Sequence, residues 1–380
     1  MKNKIFVTCP RGLEEVLSEE LENILAKDVM PDRGGVHVNG DLADIYKINL
    51  SSRLAMHVLQ QVISIKSTNI NQLYTLVKSY NWSKVITKDE TFSIRTRVNS
   101  PIFKNSNIVT LKIKDAIVDR IRQETQSRPS IDKDRPTYQI FVNIKDNRVK
   151  IYLNTSGDPL YIRGYRARVH RAAINPCMAA GLIQLSSWDR ESAFYDPMCG
   201  SGTIPIEALM LAISMPPRYK RLSYAFKGWS TFDKRLYNKI LESVNSRIDF
   251  KKEVLVYGSD NTLKNLDLVR SSLGILGLDD RLILGVADIK DFKTVSDSGV
   301  IITNPPHGHR MSREDALRGL YRAMGDAFKN NCKNHDAYVF SMNNTLSKSI
   351  GLKTKRKHVL KNGKLDCRLL YFPIQEGKFY

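Results

Sequence analysis

Between residues 11 and 26 apolar side chains recur at helical spacing. Leu13, Val16, Leu17, Leu21, Ile24 and Leu25 fall on one face, and Glu14, Glu15, Glu19, Glu20 and Glu22 on the other. The pattern predicts an amphipathic helix after a short strand, Ile5 to Thr8. Farther on, FSIRTRV at 92 to 98 alternates, so Phe92, Ile94 and Val98 can face a core while Arg95 and Arg97 point outward together. A second helical pattern covers Ile108 to Glu124. Alternating runs at Tyr138 to Ile144 and Val149 to Leu153 then flank the polar turn Lys145-Asp146-Asn147-Arg148. The first half therefore reads as α+β, with helices beside an antiparallel sheet.

The segment DPLYIRGYRARVHR at 158 to 171 is rich in arginine, and glycine and proline interrupt any regular element in it. A domain boundary is expected just before it. After Ala193 the rhythm becomes strand, loop, helix: AFYD, VLVYGSD, RLILGVAD, VIITN and AYVFS each read as a short buried strand followed by a helix-compatible stretch. Such alternation predicts an α/β domain with a parallel sheet covered on both faces. Near the end, Lys357 to Leu360 and Asp366 to Ile374 flank Asn362-Gly363, a strong hairpin signal.

Charge adds a partner class. The 380 residues carry a formal net charge of +20 with pI near 9.6, a field suited to a polyanion such as nucleic acid. The excess is uneven: residues 1 to 45 hold 5 basic and 9 acidic side chains, residues 46 to 160 hold 19 and 9. Lys353, Lys355, Arg356, Lys357, Lys361, Lys364, Arg368 and Lys378 form a further basic rim at the end of the chain. The most apolar run, Ile204 to Met215, is short and contains Glu207, so no membrane span is expected. The N-terminus lacks a secretory apolar core, and a cytoplasmic location is expected. Five scattered cysteines (Cys9, Cys177, Cys199, Cys332, Cys367) without a CxxC pair suggest free thiols, with no disulfide framework and no metal site.

The strongest chemical signal is YDPMCGSGTIPIEA at 195 to 208, between a strand and a helix, with Asp196, Gly200 and Gly202 in D-x-x-x-G-x-G spacing. Glycines allow a sharp turn and close approach of a ligand, and the amides opening the next helix favour a carboxylate. Asp196 can take an amino group. The third glycine of a dinucleotide fingerprint is missing, since Thr203, Ile204 and Pro205 follow Gly202; no Gly-Lys-Ser/Thr of a P-loop follows either. Acids ending the next two strands, Asp260 and Asp288, are placed for ribose hydroxyls and an adenine amino group respectively. Each alone would more often cap a helix.

VIITNPPHGH at 300 to 309 puts Asn304-Pro305-Pro306-His307 at the end of the fourth strand of the parallel sheet. An exocyclic amine is a poor nucleophile because its lone pair is delocalised into the ring, and two acceptors on its N–H bonds localise that pair. Asn304 Oδ1 and the Pro305 carbonyl can supply them, held rigidly by the fixed φ of the prolines. A tight turn is the plain alternative for a bare N-P-P.

With TCPRGLEEVLSEEL at 8 to 21, GGVHVNGD at 34 to 41, LYIRGYR, the DPMCGSGT loop, FKGW at 226 to 229 and KNGKLDC at 361 to 367, the chain resembles the THUMP-domain class I RNA guanine-N2 methyltransferases over essentially its whole length. That resemblance implies a ferredoxin-like subdomain at 1–57, a THUMP RNA-binding domain at 58–157 and a Rossmann-like methyltransferase domain at 158–380. It implies S-adenosyl-L-methionine as cofactor, held by Asp196, Pro197, Gly200, Ser201, Gly202, Thr203, Asp260, Asn261, Asp288, Ile289 and Asn304. Catalysis falls to Asn304, Pro305, Pro306 and His307, the last standing where the family carries an aromatic ring that stacks on a flipped base. Structured RNA is the implied partner, with Arg95, Arg97, Lys112, Lys114, Arg163 and Arg166 as phosphate contacts. Only the resemblance favours ribosomal RNA over tRNA; adenine N6 and a non-catalytic assembly role remain as alternatives. Arg163 and Arg166 could equally face the cofactor pocket.

Overall fold

The computed structural model describes residues 3–87, 89–166, 173–307, 314–363 and 365–375. Its N-terminal half is built on β1 (Asn3–Thr8), β2 (Met30–Asp32), β3 (Gly35–Gly40), β4 (His57–Lys66), β5 (Thr91–Asn99), β6 (Ser130–Ile131), β7 (Tyr138–Lys145) and β8 (Arg148–Asn154). All eight belong to one sheet in the order β2-β3-β1-β4-β8-β7-β5-β6. The strand β4 joins its two parts: His57 to Gln60 pair with β1, and residues out to Lys66 pair with β8. A boundary at 57/58 thus falls on the first residues of a strand that serves both subdomains.

Side-chain alternation sets the layers. Ile140, Val142 and Ile144 of β7 and Val149, Ile151 and Leu153 of β8 are buried, whereas Asn143, Lys145 and Arg148 between them are exposed. Four helices accompany the sheet: α1 (Glu14–Leu25), α2 (Leu42–Ser51), α3 (Ile70–Lys78) and α4 (Ser106–Thr125). Contrary to the antiparallel expectation, β5 runs parallel to both β7 and β6. The 20-residue α4 is the cause, because a crossover that long returns the chain to the starting end before β7 begins.

The second half holds α5 (Pro176–Gln184), β9 (Ala193–Asp196), α6 (Thr203–Ala212), α7 (Lys234–Asn245), β10 (Val256–Asp260), α8 (Leu263–Leu276), β11 (Ile283–Val286), β12 (Gly299–Thr303), α9 (Glu314–Asn331), β13 (His335–Ser341), α10 (Asn344–Lys348), β14 (Arg356–Asn362) and β15 (Leu365–Ile374). Its sheet runs β11-β10-β9-β12-β13-β15-β14. The first five strands are parallel, and the β14–β15 hairpin adds antiparallel to β13. Strand order reverses between β9 and β12, which opens a crevice at their carboxyl ends.

The halves are locked by buried polar contacts. Arg53 donates from Nη2 to the carbonyls of Met210, in α6, and Met215, just beyond it. Arg163 pairs through Nε with Glu207 Oε1 at 3.1 Å and donates from Nη2 to the Arg53 carbonyl. Both partners of that ion pair have fully buried side chains. Lys361 N donates to the Arg11 carbonyl, tying the C-terminal hairpin to the N-terminal half. Arg163 is therefore corrected from a phosphate contact to a structural cation: burial disfavours its charge, and Glu207, Cys177 and Tyr165 together offset this and hold its pKa up. Sequence shows an arginine in a basic segment but not the buried glutamate facing it.

Candidate active site

Two motif ends meet at the crevice. Asp196 closes β9 and Asn304 follows β12, and the two strands are adjacent and parallel with Ile301 opposite Tyr195. The glycine loop between them needs unusual backbone. Gly200 (φ +53°) and Gly202 (φ +77°) lie in the left-handed region. A Cβ on Gly202 would come 2.7 Å from both γ-carbons of Val269, so α6 sits on α8 only because that side chain is missing. A Cβ on Gly200 would meet nothing within 4 Å, which leaves open space above the loop.

Asp196 is a buried acid of this space without a compensating cation among the described residues. Its carboxyl is 2 % exposed, accepts a 3.2 Å hydrogen bond from Met198 N, and forms no ion pair among the described residues. Burial, with a smaller contribution from Asp260, pushes its pKa up to about 7. A buried acid lacking a cation, beside an open glycine loop and the uncapped N-terminus of α6, fits a ligand with an ammonium and a carboxylate. Pro197 is buried, Ser201 is half-buried, and Thr203 accepts from Arg166 Nη2 at 2.6 Å. Arg166 also donates to the Ile174 carbonyl, so it lies against the start of α6 at the cofactor side.

Asp260 plays a part that sequence does not reveal. Its Oδ2 accepts from Gly200 N at 3.0 Å, while Oδ1 accepts from Thr262 N and from Asn265 Nδ2. It clamps the glycine loop, and the sequence separation of 60 residues hides the contact. Asn261 next to it is exposed. Ala287 N donates to the Asp260 carbonyl, which brings the end of β11 alongside. There Asp288 is exposed and caps the turn at Ile289–Asp291 by accepting from Lys290 N, and Ile289 is buried beneath it.

On the other side of the crevice, Asn304 and His307 are half-buried, Pro305 is buried and Pro306 is exposed. His307 Nε2 lies 2.8 Å from Asn304 Oδ1, and the Tyr321 hydroxyl lies 3.3 Å from Nδ1. The ring meets Phe340 edge-on at 6.3 Å. Tyr321, wholly buried on α9, carries no motif signal, and nothing in the sequence points to it.

The basic candidates divide. Arg95 and Arg97 are exposed on one face of β5. Arg95 and Lys114 line a groove of about 350 Å³ with Lys133, Leu111 and Ile131. Lys112 instead points to the other side of α4, its ammonium 4.8 Å from the Tyr74 ring centroid. Lys145 and Arg148 extend the exposed basic face at the β7–β8 turn.

A doubly wound sheet with a glycine loop, a buried acid at the end of its first strand and an N-P-P turn at its switch point defines a class I S-adenosyl-L-methionine-dependent methyltransferase, and S-adenosyl-L-methionine is the cofactor. Residues 163–370 match the family described as RMKL-like, methyltransferase domain, residues 67–154 the THUMP domain and residues 4–59 the RlmL ferredoxin-like domain; the chain belongs to the RMKL-like methyltransferase family. It is 33% identical to "Ribosomal RNA large subunit methyltransferase K/L" of Syntrophotalea carbinolica, over 99% of this chain and 54% of that protein. The chain thus spans about half the length of that relative. It is 32% identical to "Putative RNA methyltransferase slr0064" of Synechocystis, over 97% of this chain and 96% of that one. Among solved structures, "SMU.472, a putative methyltransferase complexed with SAH" superposes with a TM-score of 0.90 at 27% identity, covering 99% of each chain.

Proposed function

We propose that this chain transfers a methyl group from S-adenosyl-L-methionine to the exocyclic N2 of a guanine in structured RNA, with large-subunit ribosomal RNA as the substrate. The observation that carries the reading is the adjacency of Asp196 and Asn304 at the ends of neighbouring parallel strands. It sets a site for an ammonium next to an acceptor for an amine. When bound, the cofactor supplies an electrophilic methyl group on a sulfonium. Asp196 holds the ammonium, and the amides opening α6 face the carboxylate. The loop clamped by Asp260 keeps those amides in place. Asn304 Oδ1 and the Pro305 carbonyl accept the two N–H bonds of the base amine, localise its lone pair and aim it along the transfer line. The two prolines keep this pair of acceptors from drifting. A face of His307 lies toward the base, and Arg95, Arg97 and Lys114 hold phosphates.

Two relatives are named as RNA methyltransferases, which supports RNA, and the THUMP match with its exposed basic strand supports capture of folded RNA. The test is incubation of the full chain with labelled S-adenosyl-L-methionine and total RNA from cells lacking it, followed by nucleoside analysis. N2-methylguanosine in large-subunit RNA is the expected product. N6-methyladenosine, or label in tRNA alone, would replace the substrate while keeping the chemistry.

A further inference from the structure

Where the family resemblance leads one to expect an aromatic ring, this chain has an imidazole, and both of its nitrogens are engaged. Nε2 is 2.8 Å from Asn304 Oδ1 and Nδ1 is 3.3 Å from the Tyr321 hydroxyl. A carboxamide oxygen only accepts, so Nε2 must carry the hydrogen on this contact. In a neutral imidazole Nδ1 is then an acceptor, and the Tyr321 hydroxyl must donate to it. Tyr321 has a proton to give: it is wholly buried, and burial pushes its pKa up to about 12 against the smaller lowering by a hydrogen bond with Ser341, so the hydroxyl keeps its proton. Its ring is fixed in the core of α9 with Met324 and Phe328.

The geometry points to Tyr321 as a positioning residue for the methyl-transfer step: by donating to Nδ1 it selects the Nε2–H tautomer of His307, which clamps the Asn304 carboxamide with its oxygen turned toward N–H donors. A carboxamide oxygen has two lone pairs, so one holds His307 and the other stays open for the amine. In the opposite tautomer the Nε2 lone pair would face Oδ1 and repel it, and the amide would turn its NH₂ group toward His307, removing the acceptor from the base. In this arrangement His307 acts as a donor on Asn304, not as the base that removes the amine proton, since Nε2 is already protonated.

The inference rests on the proposed role of Asn304, and two readouts keep the two apart. In the first, ¹⁵N-histidine-labelled full chain is observed at about pH 8, above the usual histidine pKa of about 6.5. The signal that disappears in His307→Ala should show a protonated Nε2 and an unprotonated Nδ1, and Tyr321→Phe should shift it toward a mixture of tautomers. In the second, Tyr321→Phe should lower kcat for methylation of total RNA about three- to tenfold, the loss expected for one neutral hydrogen bond, with KM and cofactor Kd unchanged. The same change in a His307→Ala background should have no further effect. A wild-type Nδ1–H tautomer, an unchanged signal in Tyr321→Phe, or an equal rate loss in both backgrounds would each overturn the inference. If the wild-type chain methylates no RNA, the proposed function falls, and the tautomer readout still decides whether Tyr321 sets the ring.

Discussion

Asp196→Asn separates the cost of a buried charge from its use. In the ligand-free protein burial raises the Asp196 pKa to about 7 from the ordinary aspartate value of about 3.9, and no cation among the described residues offsets this. A carboxyl that holds its proton more tightly in the folded state makes folding favourable at low pH and progressively less so as pH rises toward the folded pKa. With about 1.4 kcal/mol per pKa unit, the three-unit difference amounts to about 4 kcal/mol in full, of which about 2 to 3 kcal/mol appears between pH 5 and pH 8. Asparagine is never charged and can keep the bond from Met198 N through its oxygen. Relative to wild type, the variant should therefore gain about 2 to 3 kcal/mol of stability between pH 5 and pH 8, read by urea unfolding of the ligand-free chains. Addition of S-adenosyl-L-methionine should reverse the order: wild type gains stability most at pH 8, where the carboxylate meets the ammonium, and the variant gains little. A pH-independent difference between the two proteins, or equal cofactor stabilisation of both, would show that Asp196 is not the ammonium partner.

Asn304→Ala should slow single-turnover methylation by about 100-fold or more while leaving cofactor affinity within about twofold, because it removes an acceptor used by the base amine; weakened cofactor binding would contradict that role. Replacing Arg95, Arg97 and Lys114 together by glutamine should weaken RNA binding and reduce the slope of log K against log salt by about 2 to 3, with cofactor affinity unchanged. An unchanged slope would place the phosphate contacts elsewhere. Arg163→Ala should lower the urea midpoint by an amount equivalent to about 3 to 5 kcal/mol, the range for stranding a buried charge. A stable variant with weaker RNA binding would restore Arg163 to the RNA face.

Much of the chain was legible residue by residue because local rules act over a few positions. Period-3.6 and period-2 patterns place α1, α4, β5, β7 and β8 within a few residues, since burying one face depends on spacing alone. The strand-loop-helix rhythm after Ala193 announces the parallel sheet, and Asn362-Gly363 the closing hairpin, whose Gly363 has φ +64°. Asp196, Gly200, Gly202 and Asn304 declare themselves because a tight loop and an N-P-P turn tolerate few residue types. What spacing along the chain does not encode is who meets whom across it. Parallel pairing of β5 with β7 depends on where α4 returns the chain, and β4 belongs to both N-terminal subdomains only once the two half-sheets align. Arg163 reads as one more surface cation until Glu207, 44 residues away, is found buried against it. Asp260 holds the glycine loop across 60 residues, and Tyr321 reaches His307 only because α9 packs beneath the N-P-P turn. Charge compensation and side-chain orientation are decided by these long-range contacts, since a buried polar group is defined by its partner and the partner is supplied by the tertiary fold.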